Sequence, residues 1–155
     1  MKGEKLKDFL KEHNINFDVI PHPLAYSAQM TAHTAHVPGK EMAKTVIVKV
    51  DGEMKMVVLT ANQRVNFTLL KNVYRTNDIS LAKESDFIAA FPDCEMGAMP
   101  PFGNLYGMEE IVSEELSMDS EIVFNAGTHT ELIKMKFEDF KKLVNPVIMK
   151  FKIEY

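Results

Sequence analysis

Three stretches of this chain carry residues that could do chemistry, and none is a familiar catalytic triad. The first is Glu95-Met96-Gly97-Ala98-Met99-Pro100-Pro101-Phe102-Gly103-Asn104-Leu105-Tyr106-Gly107, which holds three of the seven glycines and two of the seven prolines. Pro lacks an N–H and Gly costs the most backbone entropy, so this run continues neither a helix nor a central strand. Apolar Met96, Met99, Phe102, Leu105 and Tyr106 are interleaved with the breakers. A solvated linker would be polar. This composition reads as a pocket wall whose backbone amides can approach a ligand. The second stretch centres on Lys44, which opens the apolar run Lys-Thr-Val-Ile-Val-Lys-Val. A lysine at a strand mouth can serve as a point charge for an anion; the alternative is a solvated strand-end lysine. The third is Asn125-Ala126-Gly127-Thr128-His129-Thr130, a dense polar turn that could equally be a capped hairpin.

The other candidates are weaker. His33 and His36 stand three apart with His22 upstream, but there is no HExxH or CxxC spacing, and zinc needs three or four convergent ligands. No metal or other cofactor is expected. Cys94 is flanked by Asp93 and Glu95, whose charges raise a thiol pKa, so burial suits it better than nucleophilic work. No G-x-S-x-G elbow is present, and Ser27, Ser80, Ser113 and Ser120 read as caps or turns.

These stretches need elements to hold them. Residues 3–14 have the pattern of an amphipathic helix, with Leu6, Phe9 and Leu10 on one face. A short strand follows at 17–20. Ser27 caps a helix over 28–36 that Pro38-Gly39 ends. Strands at 44–50 and 54–60 flank Asp51-Gly52, a strong hairpin signal. A helix is predicted over 65–73 with Val65, Leu69 and Val73 together, and another over 81–91 capped by Ser80. Strands follow at 111–112, 121–125 and 132–135, the last two as a hairpin. A helix over 137–144 turns Phe137, Phe140 and Val144 inward, and 147–153 reads as an edge strand. Without strict βαβ alternation, the pattern implies an α+β fold. Its sheet should be mixed and largely antiparallel.

At 155 residues, 46% hydrophobic and 26% charged, residues 1–155 suit a single domain. There is no apolar run of membrane-spanning length and no signal core. One cysteine allows no internal disulfide, so a cytoplasmic setting is the default. The formal charge of −4 argues against coating DNA or RNA by bulk electrostatics, though not against a local contact. Lys134, Lys136, Lys141, Lys142, Lys150 and Lys152 alternate with Glu131, Glu138, Asp139 and Glu154 as a mixed solvated surface.

Taken in order, these segments resemble the YbaK family, the editing domain associated with prolyl-tRNA synthetase. The matching pieces are Lys44-Thr45-Val46, the G-x-x-x-P loop from Gly97 to Gly103 and the turn from Asn125 to Thr130. His22-Pro23 and Tyr26-Ser27-Ala28 lie upstream. The resemblance spans about residues 6–147. It implies a curved, partly barrel-like mixed sheet flanked by helices. It also implies hydrolysis in trans of the ester joining a wrong amino acid to tRNA. In that scheme the amides of Gly97 and Ala98 stabilise the tetrahedral oxyanion, a device worth about 2.7–4 kcal/mol per donor. Lys44 anchors the tRNA 3′ end. Tyr26, Met99, Pro100, Pro101, Phe102, Gly103, Asn125, Gly127, His129 and Thr130 line the substrate site. A water or the substrate 2′-hydroxyl supplies the nucleophile. Mischarged tRNA is the implied partner, with a synthetase or an elongation factor beside it. Pro100 stands where a small hydroxyl residue is common in the family, and Met99 and Met30 are flexible fillers, so the acyl group is left open. A non-catalytic module on the same fold, binding an adenosine-like ligand or a protein, is the second reading. A small-ester hydrolase centred on Cys94 or His129 is the third.

Overall fold

The computed structural model describes residues 2–151. Its helices are α1 (Glu4–Glu12), α2 (Ala28–Thr34), α3 (Phe67–Tyr74), α4 (Glu84–Phe87), α5 (Glu114–Ser117) and α6 (Phe137–Val144). Its strands are β1 (Phe17–Pro21), β2 (Met42–Val50), β3 (Glu53–Thr60), β4 (Ile79–Leu81), β5 (Glu110–Ser113), β6 (Glu121–Asn125), β7 (Glu131–Lys136) and β8 (Val147–Met149). The strands form one sheet in the order β1-β7-β6-β2-β3-β5-β8, with β4 added on β2. Four ladders are antiparallel (β1/β7, β6/β7, β2/β3, β2/β4) and three are parallel (β2/β6, β3/β5, β5/β8). The architecture is the expected mixed α+β one, and its strand path is open, ending at β1 and β8.

The β2–β3 hairpin turns at Asp51 and Gly52, both at positive φ, as the tight two-residue turn requires. Ser27 caps α2 by accepting the Met30 N–H at 3.0 Å. Side chains alternate across the sheet, so each strand feeds two cores. One face carries Ala43, Ile47, Met56, Val58, Val112, Phe124 and Ile133, covered by Leu6 and Leu10 of α1 and by Phe137 and Phe140 of α6. The opposite face splits into two clusters. Met42, Val123 and Leu132 pack with Ala32 of α2 at one end. Val48, Val57 and Leu59 pack with Leu70 of α3 at the other.

Several expectations change. Ser80 does not cap a helix over 81–91; it pairs with Lys49 in β4. The helical turn starts later, after Lys83, and continues as a 3₁₀ turn at Ile88–Ala90. In α3, which starts at Phe67, Leu70 is the buried residue; Val65 and Leu69 pack partly buried against the same cluster as expected, whereas Val73 is 46% exposed. His36 lies beyond the end of α2 at φ 58, so His33 and His36 do not share its face. The edge strand stops at Met149; the expected positions 152 and 153 lie outside the described residues.

Candidate functional site

The Gly/Pro loop and the turn after β6 are bonded to one another. The Glu95 N–H donates to Gly127 O at 2.7 Å, and the Gly127 N–H returns to Ala98 O at 2.9 Å. Such close backbone approach needs glycine here. Gly127 has φ 94, and a Cβ on it would stand 2.9 Å from Gly3 Cα. The Glu95 carboxylate accepts the His129 N–H at 2.7 Å, and His129 Nε2 meets Met96 O at 2.6 Å. A carbonyl only accepts, so Nε2 carries the proton in that contact. In the neutral ring Nδ1 is then the lone-pair acceptor, and it is buried without a partner among the described residues.

The segment after β1 closes the same corner. The His22 N–H donates to Thr130 O at 2.9 Å, and the Tyr26 ring lies over His129 with centroids 4.8 Å apart. Tyr26 is 70% exposed, so its outer face is open to a planar ligand. Met30 is also exposed and forms surface rather than pocket filling.

Within the loop the amides are not equivalent. The Ala98 N–H already donates to Glu95 O at 3.0 Å. The Gly97 N–H faces only the Met99 thioether sulfur at 3.3 Å, a weak acceptor. Gly97 sits at φ 86, and a Cβ on it would press tightly on His129 Cε1 at 3.3 Å. Pro100 and Pro101 have no N–H to give. Phe102 is fully buried, its ring 5.5 Å from Phe124 and 5.3 Å from Phe140, so it anchors the loop in the core. Gly103 is buried as well and donates its N–H to Glu110 Oε1 at 2.7 Å.

Lys44 is brought towards this corner by strand register. Met42 pairs with Val123 and Ala43 with Phe124 in the parallel β2/β6 ladder, so the next step sets Lys44 beside Asn125. In-register neighbours share a face. Lys44 therefore lies on the face of Met42, Val123 and Leu132, between the α2 and α3 clusters. Partial burial, and then the charge of Arg64, hold its amine below the ordinary lysine value. Asn125 is buried, with its Oδ1 unpartnered among the described residues.

The Cys94 thiol turns to partners outside this bonded union. Cys94 is 4% exposed, and its Sγ is 3.4 Å from the Tyr106 hydroxyl, which donates to Asp93 Oδ2 at 3.0 Å. Burial foremost, with Asp93 contributing, pushes the thiol up to about 11, which suits a packed cysteine rather than a nucleophile. No cluster of three or more His, Cys, Asp or Glu side chains able to hold a metal occurs among the described residues. No helix among them is long and apolar enough to cross a membrane. Two residues near the site carried no signal of their own in the sequence. Arg64 lies in an ordinary polar loop. Glu110 is one of two adjacent glutamates, and only the strand's inward side singles it out.

The model of the aminoacyl-tRNA editing domain matches residues 22–143, which takes in the Lys44 strand, the loop and the turn. The chain belongs to that family. Among curated proteins it is similar to the multifunctional Ser/Thr-tRNA deacylase ProXp-y of Escherichia coli K12. The two are 23% identical over 155 residues, covering 96% of this chain and 92% of that one. A segment is similar to the proline–tRNA ligase of Staphylococcus aureus, 33% identical over 73 residues, which is 47% of this chain and 13% of the ligase. Among solved structures, a candidate trans-editing enzyme for prolyl-tRNA synthetase superposes with a TM-score of 0.83 at 13% identity, covering 98% of this chain and 97% of that one. At that identity the likeness speaks for the fold.

Proposed function

We propose that this editing-domain protein is a trans-acting deacylase that hydrolyses the ester of mischarged aminoacyl-tRNA. The observation that carries the reading is the bonded union of the 95–103 loop with the 125–130 turn. Lys44 stands one register step beyond the β2/β6 pairs on the neighbouring strand.

In this scheme Lys44 binds the phosphate nearest the tRNA 3′ end, and Tyr26 stacks on a terminal base. A water, or one positioned by the substrate 2′-hydroxyl, adds to the ester carbonyl carbon. The Gly97 N–H leaves its sulfur contact for the developing oxyanion, and the Ala98 N–H joins only if the turn to Glu95 opens. The bond to the ribose oxygen then breaks. That oxygen takes the proton lost by the water, releasing free amino acid and tRNA. His129 Nδ1, an acceptor without a partner, orients the water or the substrate amine. Met99, Pro100, Pro101, Asn125, Gly127 and Thr130 shape the acyl pocket, with Phe102 and Gly103 behind them.

A chain of net charge −4 should hold tRNA weakly and in a salt-sensitive way, so a synthetase or an elongation factor in the cytoplasm fits as the deliverer. The test is a panel of tRNAs mischarged with Ala, Ser, Thr, Cys and other amino acids. At least one should be deacylated well above the uncatalysed rate. The engaged Ala98 amide favours the rival reading, a module that binds the aminoacyl end without cleaving it. Binding without turnover across the whole panel would establish that rival.

A further inference from the structure

Thr60 pairs with Ala43, the residue before Lys44, and Arg64 follows four residues after Thr60, so two positive charges approach one another on a chain whose formal charge is −4. The turn that presents Arg64 is tightly held. The Ala61 N–H donates to Met42 O at 2.8 Å, two residues before Lys44. The Thr60 N–H donates to Gln63 Oε1 at 3.0 Å, and Gln63 itself is 2% exposed. On the other side, a Cβ on Gly39 would collide with the Asn62 side chain, so residues around 39 and 62 also abut. Arg64 thus follows a pinned turn at the end of β3, against the strand that carries Lys44.

Neither cation has a carboxylate within ion-pair distance among the described residues. Three of the other strand lysines on this sheet do: Lys49 pairs with Asp86, Lys55 with Glu53 and Glu109, and Lys134 with Glu121. The same turn holds an unmet donor, since buried Gln63 Nε2 lacks a partner. Two cations without a carboxylate partner repel each other, and an anion seated between them relieves that repulsion. Across the strand, Asn125 ties the spot to the loop-and-turn corner.

Building on the deacylase reading, we infer that Arg64 and Lys44 together form a phosphate-binding site for the acceptor end of the tRNA. Arg64 is a binding residue, touching the nucleic-acid backbone and not the scissile ester. Its guanidinium can hold two oxygens of one phosphate in a planar fork, while Lys44 contributes a point charge. Each phosphate neutralised this way releases counterions, giving a salt slope of about 0.7 per contact on a single strand.

The experiment uses the full chain and one aminoacyl group on two substrates: the aminoacyl-tRNA, and the matching 3′-aminoacyl-adenosine, which has no phosphate. Arg64→Ala should lower kcat/KM on the tRNA about tenfold and flatten the slope of log kcat/KM against log salt by about 0.7. Its effect on the adenosine ester should be several-fold smaller. Arg64→Lys should recover most of the slope. Thermal unfolding of both variants checks that the turn survives. Equal losses on both substrates, or an unchanged salt slope, would overturn the site. If the wild type cleaves neither ester, the deacylase reading falls by itself. The salt slope of uncharged tRNA binding, wild type against Arg64→Ala, then decides the phosphate site: a flattened slope supports it and an unchanged one rejects it.

Discussion

Replacing Glu110 by Gln should make the protein more stable than the wild type at pH 8 but not at pH 5. Glu110 lies on β5 facing the Gly/Pro loop, 4% exposed. Its Oε1 accepts the Gly103 N–H at 2.7 Å, and its Oε2 has no partner among the described residues. Burial, only partly opposed by that one hydrogen bond, raises its pKa from 4.5 to about 8. A folded-state value above the unfolded one means that the native state holds the proton longer. The stabilisation is therefore complete below pH 4.5, declines as pH rises and is gone above about 8. At about 1.4 kcal/mol per pH unit, the ceiling is roughly 5 kcal/mol, and relaxation around the carboxylate should leave about 2 kcal/mol or more. Gln keeps an oxygen for Gly103 and cannot ionise. Urea unfolding of both proteins at pH 5, 6.5 and 8 isolates this one group, because all other titrations cancel in the difference. The advantage of Glu110→Gln should be near zero at pH 5 and grow steadily to pH 8. A difference that stays flat across this range would refute the reasoning, showing the carboxyl to be solvated or paired.

Gly97→Ala puts a side chain at φ 86, with its Cβ 3.3 Å from His129 Cε1. It should cost about 1–2 kcal/mol in urea unfolding and lower deacylation about tenfold, as the loop shifts off His129. Cys94→Ser should retain deacylation within about threefold. The wild-type thiol should resist iodoacetamide at pH 8, because at a pKa of about 11 only about one thiol in a thousand is ionised. Tyr26→Ala, at a 70% exposed position, should leave thermal stability nearly unchanged and raise KM about five- to tenfold, the expected loss of one base stack.

Local signals in the sequence predicted local structure well. Asp51-Gly52 between two β-branched runs specifies its hairpin, and Ser27 and Pro38 bracket α2, because turn and cap chemistry act over a few residues. The pattern singles out Leu69 rather than Leu70, the fully buried residue of α3, because the two are adjacent in an eight-residue helix. Which of the two turns inward is decided by the sheet beneath. Ser80 resembled a cap because Ile79-Ser80-Leu81 is too short to show a strand's period, and its pairing with β2 is what makes it a strand. The site shows the same division. Glycines and prolines identified the loop and the turn as unusual backbone. Their union through Glu95 and Gly127 crosses more than thirty residues, and the resemblance, not periodicity, joined them. The Lys44–Asn125 neighbourhood depends on a parallel register between distant strands, and Arg64 reaches Lys44 only through a folded turn. Neither leaves a trace in local pattern.

Lys44→Ala, assayed beside Cys94→Ser on whichever mischarged tRNA the wild type hydrolyses fastest, tests the proposed site most directly. Loss of one charge-assisted contact to phosphate is worth about 1.5–3 kcal/mol, so kcat/KM for Lys44→Ala should fall about tenfold to a hundredfold while Cys94→Ser stays near the wild type. A Lys44→Ala enzyme of undiminished activity, with Cys94→Ser inactive, would contradict the account and move the chemistry to the thiol.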